Sequence, residues 1–294
     1  MGDRGSNNEP ANATDIAQMK KLVHEAIDAG ALGVSTSRVL GHRAMNGEPV
    51  PGTFAAEDEL YGLGEALRDA GSGVFELAPA GADGQDLGNA PKEMEWMKRL
   101  SATIQRPVTF ALLQNETEPS LWKQLLEESL EATEQGSQCF PQVAGRPFGL
   151  LIGLQTHHAF AKRPTFINIA HLPHNELVEQ LKQSSTRTAI LNETDTDPDP
   201  KILFDGMSRM IQSMLHRLYP MGEIPDYEPD PTQSFVSISE TRNTTPEAVL
   251  YDYMLENDGY AMGMMPIFNY VDGNHDVIRD CLLYTSPSPR DSRK

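Results

Sequence analysis

Ser37, Arg38 and His42 stand within six residues of one another, directly after a short β-run that begins at Val34. An arginine there can hold a substrate carboxylate through two parallel hydrogen bonds. Ser37 adds a hydroxyl, and His42 adds an imidazole able to bind substrate or a metal. Gln114 follows the run Pro107 to Leu113 and can orient a substrate through its amide. Two of them have a plainer reading: Arg38 as a loop-anchoring salt bridge, Gln114 as a loop cap. We take Ser37, Arg38, His42 and Gln114 as the candidate substrate-binding set. The residues alone assign no group to bond cleavage itself or to a metal.

The other histidines offer less. His157 and His158 are adjacent, so on a strand they would point to opposite faces, and only one could face a site. His171 and His174 flank Pro173 at an expected helix start, where surface capping is the simpler role. His24 and His216 fall on expected helices away from strand ends. His275 lies in Asp272-Gly273-Asn274-His275-Asp276, a helix-entry turn capped by Asp272 or Asn274. The acidic run Thr194 to Pro200 lacks the glycine and distal glutamate of a calcium loop and reads as a solvated linker. Met262, Met264 and Met265 read as core filler.

These groups need elements to position them. Thr14 is a candidate N-cap for a helix with Ile16, Met19, Leu22, Val23, Ala26 and Ile27 at helical spacing. Gly30 suits the left-handed position that ends it. Strand Gly33 to Ser37 follows, and its polar end Ser35-Thr36-Ser37-Arg38 falls where barrels of alternating strands and helices do chemistry. Thr53 can cap a helix running to about Ala70, before strand Val74 to Leu77. Pro91 opens a helix to Ile104, before strand Pro107 to Leu113. A helix from Pro119 to Glu134 stops at Gly136, and Cys139 to Val143 is the next strand. Four helix-then-strand units predict parallel strands with crossover helices. An open doubly wound sheet shares that rhythm, but neither GxGxxG nor GxxxxGK[ST] occurs. The predicted fold is therefore α/β, a partial (β/α)8 TIM-type barrel.

Beyond Gly145 the rhythm weakens. Helices are predicted over Asn175 to Gln183, Lys201 to Arg217, and Pro246 to about Asn257, with Pro220 to Pro231 as loop. Residues 145–258 read as an insertion or irregular subdomain within a domain spanning 1–280. The apolar segment Tyr260 to Tyr270 can return to the barrel as a strand. From Cys281 the chain reads Leu-Leu-Tyr-Thr-Ser-Pro-Ser-Pro-Arg-Asp, which resembles a translated sequencing adaptor. Residues 281–294 are therefore expected to be a non-native tail.

Composition narrows the function classes. A chain of 294 residues can bury one barrel-sized core or two smaller ones. Its longest apolar runs, such as Phe148 to Leu154, are too short to cross a bilayer. The first eight residues carry no apolar signal region. A net charge of −18 disfavours nucleic-acid backbones and anionic membrane surfaces. A small-molecule substrate is the remaining expectation. Cys139 and Cys281 form no disulfide framework, so a cytoplasmic setting is expected.

Met1 to Gly5, Glu9-Pro10-Ala11, Gly30 to Arg38, Pro49 to Ala55, Pro107 to Leu113 and Pro225 to Pro229 together resemble the N-acyl-D-amino-acid deacylases (D-aminoacylases). These belong to the amidohydrolase superfamily, and the resemblance runs from Met1 to about Asp280. It implies a zinc-dependent barrel, joined to a small β-sandwich, that hydrolyses the amide C–N bond of an N-acyl-D-amino acid. In the family a His-X-His pair on the first strand and an aspartate on the last supply parts of the metal site. The segment is placed between them, so most zinc ligands are expected outside this chain, which alone would be inactive. Two further family histidines correspond to Ala78 and Leu112, which cannot bind metal, and Gln114 stands where the family has lysine. A non-catalytic barrel relative or small-molecule binding protein is the alternative.

Overall fold

The computed structural model describes residues 1–285, apart from 83, 85, 200, 201 and 203. The expected helix start at Lys201, its apolar Leu203, Pro200 of the acidic run, and the tail from 286 lie outside that set. The described residues divide into two compact units, 1–145 with 280–285, and Arg146–Arg279.

The first unit repeats helix and strand: α1 (Asp3–Ser6), α2 (Ala13–Asp28), β1 (Gly33–Ser37), α3 (Glu57–Ala70), β2 (Val74–Ala78), α4 (Ala90–Ile104), β3 (Val108–Ala111), α5 (Leu121–Glu134) and β4 (Cys139–Gln142). The strands form one sheet in the order β1-β2-β3-β4, every pair parallel. Each strand lies beside its predecessor, so the sheet has no reversal of order and no topological switch point. Among the described residues the sheet stays open rather than closing into a barrel.

Local chemistry accounts for the helix ends. Asn12, not Thr14, caps α2: its Oδ1 accepts from the N–H groups of Thr14 and Asp15 at 2.9 and 3.0 Å. Asp15 accepts from Asn12 N in return, at 2.9 Å. An amide followed three residues later by an acid makes a reciprocal box that a threonine inside the first turn cannot match. Thr53 does not cap α3 either. Its hydroxyl donates to Val50 O at 2.7 Å within the preceding loop, and the helix starts at Glu57 with three acids in its first turn. Gly30 and Gly71 take positive φ at the helix stops.

One face of the sheet is packed by helices. Phe75, Leu77, Val108 and Phe110 are fully buried, with Phe75 edge-on to Trp96 of α4. Cys139 of β4 is buried among them, and burial pushes its thiol up to about 11. Alternation sends Ser35, Glu76, Thr109 and Phe140, which are register partners in turn, to the other face. There Ser35, Glu76 and Phe140 are exposed.

The second unit holds β5 (Phe148–Ile152), α6 (Pro164–Ile169), α7 (His174–Leu181), α8 (Ser184–Asn192), α9 (Met207–Ser213), β6 (Tyr219–Pro220), α10 (Phe235–Arg242), α11 (Pro246–Met254), the turn α12 (Glu256–Gly259) and β7 (Gly263–Phe268); α13 (Asp276–Thr285) follows. The Met-rich segment does not join the parallel sheet. As β7 it pairs antiparallel with β5 and β6, leaving Met264 and Met265 buried as expected of core filler. The long helix expected to reach Arg217 is shorter, Met207–Ser213 followed by a 3-10 turn at Leu215–Arg217. The core gathers Ile152, Phe160, Ile211, Phe235, Leu250 and Tyr251. Helix α13 continues through Thr285, into the tail that was expected to begin at 281.

Candidate functional site

Parallel pairing brings the C-terminal ends of β1, β2 and β3 to one edge of the sheet. Arg38 N donates to Ala78 O at 2.8 Å, continuing the β1–β2 ladder, and Leu112 N donates to Gln142 O at 3.1 Å beyond β3. On that edge Ser37 Oγ lies 2.6 Å from His42 Nδ1. The loop carrying His42 folds back on itself through His42 N to Val39 O and Val50 N to His42 O. The hydroxyl–imidazole pair is solvent-facing and can exchange a proton across one short bond.

Arg38 is already engaged. Its Nε donates to both oxygens of Glu93, at 3.0 and 2.9 Å, and its Nη1 donates to Ala55 O at 2.7 Å. Glu93 is 5% exposed and sits in the first turn of α4. The guanidinium also lies over the Trp96 ring at 5.8 Å. Arg38 thus ties β1, α4 and the loop before α3 together. Its Nη2 has no partner among the described residues and is what remains for a substrate anion.

Gln114 is buried, and its Nε2 donates to Pro119 O at 3.3 Å across the loop after β3. Asn115 Oδ1 accepts from Glu118 N in the same loop. Leu112 is 4% exposed and packed.

Two carboxylates join the site that the sequence reading passed over. Glu76 accepts a hydrogen bond from the Ser35 hydroxyl on the open face of the sheet. The signal was present: an acid between buried Phe75 and Leu77 breaks the apolar run usual for a parallel strand. Glu93 left no such signal, because its partner lies 55 residues away. Beside β1 a cavity of about 290 Å3 is lined by Ser35, Thr36, Gly52, Phe54, Glu59 and the N-terminal segment. Burial, with Asp58 and Asp15 nearby, raises the Glu59 carboxyl above its ordinary range.

No family profile matches the chain, and no curated protein does. Two solved structures are similar to it. One is D-aminoacylase, described as defining a novel subset of amidohydrolases; the other is a D-aminoacylase mutant in complex with copper chloride. Each is 14% identical with a TM-score of 0.43, over 94% of this chain and 42% of its own. The chain spans less than half the length of either.

The remaining histidines are placed elsewhere, and not where strand alternation would set them. His157 and His158 lie in the loop after β5, off the strand. His158 is buried, its Nδ1 accepts from Phe160 N at 3.2 Å, and burial lowers it to about 4, with His157 adding to the effect. His174 Nε2 donates to Asp258 O at 2.9 Å at the start of α7. Among the described residues no three His, Cys, Asp or Glu side chains converge to hold a metal ion. The described residues therefore do not fit a zinc site.

Proposed function

We propose that the chain is part of a hydrolase of non-peptide amide C–N bonds, of the N-acyl-D-amino-acid deacylase kind. One observation carries this: four parallel strands wound in sequential order, with Ser35, Ser37, Arg38 and Glu76 at or near their C-terminal rim. Chemistry in sequentially wound α/β proteins is done at that rim. The ordered resemblance in the sequence points to the same substrate class.

In this reading the chain's own residues bind and orient. Ser37 and His42 hydrogen-bond the acylated end of the substrate. Arg38 offers Nη2 to its carboxylate while Glu93 fixes the guanidinium plane, and Gln114 shapes the wall through its loop. Zinc, which the resemblance implies, would be held by residues outside those described. No helix among the described residues is long and apolar enough to cross a membrane. A small polar substrate met in the cytoplasm is part of this proposal.

The test is the protein encoded with its neighbouring reading frame, assayed for release of free amino acid from N-acyl-D-amino acids, with metal content measured alongside. Turnover by the longer, metal-loaded protein is expected, together with inactivity of the 294-residue chain. In the longer protein Ser37→Ala is expected to lower kcat/KM about tenfold, the scale of one lost hydrogen bond to a polar substrate. A folded, metal-loaded longer protein with no turnover would overturn the proposal. A second reading, a binding protein without catalysis, rests on Ala78 and Leu112, which stand where the resemblance places two histidines. Substrate binding without turnover would support it.

A further inference from the structure

Two hydroxyls of β1 face a base, and the bases differ in what they can do. The Ser35 hydroxyl donates to the Glu76 carboxylate, whereas Ser37 Oγ lies 2.6 Å from His42 Nδ1. A carboxylate is a far weaker base than an imidazole, so only the second pair suits removal of a hydroxyl proton.

Three features set Ser37 apart from a serine that caps a loop. Its proton has a defined direction: Val39 N donates to Ser37 Oγ at 3.4 Å, which occupies an acceptor position and turns the hydroxyl hydrogen towards His42 Nδ1. Next, His42 is held by its own backbone. His42 N donates to Val39 O at 3.1 Å and Val50 N donates to His42 O at 3.2 Å, which closes the loop and keeps the imidazole beside Ser37. Finally, the Ser37 amide is free. β1 is an edge strand, and Arg38 N bonds across to Ala78 O. Alternation therefore turns the Ser37 N–H to the open edge, where it has no partner among the described residues. In serine hydrolases the nucleophile's own N–H is one of the donors that hold the oxyanion. Hydroxyl, base and oxyanion donor thus meet at one half-exposed strand end.

We infer that Ser37 is a nucleophile that takes an acyl group from activated esters, with His42 as its base. Ser37 Oγ attacks the ester carbonyl while its proton passes to His42 Nδ1, and the Ser37 N–H faces the oxyanion that forms. The ester C–O bond then breaks, and the leaving oxygen departs with the proton held by His42. The acyl group stays on Ser37 as an ester until water, deprotonated by the same imidazole, releases it as the acid. An amide has a far poorer leaving group, so the step is compatible with inactivity of the 294-residue chain on N-acyl amino acids. It uses side chains of this chain alone and does not rest on the hydrolase reading.

Reaction of the 294-residue chain with p-nitrophenyl acetate at neutral pH tests this. A burst of about one nitrophenolate per chain is expected, then slow turnover, with one acetyl group mapped to Ser37 by mass spectrometry. Ser37→Ala should abolish the burst, and His42→Gln should slow it about a hundredfold, the low end for a general base. Both variants should keep the native melting temperature, since the bond they remove is exposed. His24→Gln, which removes an exposed imidazole paired with Asp28, should leave the burst unchanged. Acetyl groups on lysines or the N-terminus with Ser37 unmodified would overturn the inference. An unchanged burst in His42→Gln, or no burst from the folded native chain, would do the same. None of these results touches the hydrolase reading, which is assayed by amide turnover in the longer protein.

Discussion

Two side chains set the residue scale. Arg38 and Glu93 form a pair that is nearly out of water, 17% and 6% exposed at their side chains. Removing one partner leaves the other charge stranded, which costs about 3 kcal/mol or more. Glu93→Gln should therefore lower the urea-unfolding free energy by about that amount, whereas the exposed pair Arg99–Glu95 should tolerate Glu95→Gln with almost no change. His158 sets a pH limit. Its folded value of about 4 lies below the ordinary 6.5, so the unfolded chain takes up the proton first as pH falls. The neutral ring's contribution is complete above about 6.5 and is lost progressively towards 4, on the order of 3 kcal/mol in all. Urea midpoints at pH 7.5 and 4.5 should differ more for the native chain than for His158→Gln. Equal differences would sink this assignment.

At the scale of elements, glycine decides how closely β1 approaches β2. A Cβ on Gly33 would come within 2.0 Å of Val74 O, so the strands could not keep their register. Gly33→Ala should cost about 3 kcal/mol, the upper range for overpacking, read from the shift in chemical denaturation. Much of this unit was legible because its signals are local. Glycine stops, apolar spacing of 3.6 and short apolar runs all lie within one element, and they placed β1 to β4 correctly. The capping residue of α2 was missed for an equally local reason: the box needs Asn12 and Asp15 together, and Thr14 alone looked sufficient. The second unit was less legible. Phe148 pairs with Phe268, 120 positions further along the chain, and nothing near β7 announces an antiparallel partner. At the site, Ser37 and His42 are close in sequence and were read together. Arg38's commitment to Glu93 and Ala55 depends on the fold bringing distant segments to one edge.

Across the whole molecule, two separate cores imply two units of cooperativity. Phe160 is buried in the second core only. Phe160→Ala should cost about 3–5 kcal/mol in that unit. It should shift one calorimetric transition while leaving the transition of the parallel-sheet unit in place. A single transition moving as a whole would show instead that the two cores melt together. The strand-end site belongs to the first unit, so disabling it should leave the second core untouched.

The buried cysteine of β4 gives the parallel sheet its own stopwatch. A thiol held near 11 and walled off by its neighbours cannot react with Ellman's reagent while β4 stays docked. In a Cys281→Ser chain, the yellow colour would therefore appear only as fast as that strand peels away. Its rate would time the release of β4 from the sheet without any probe being attached.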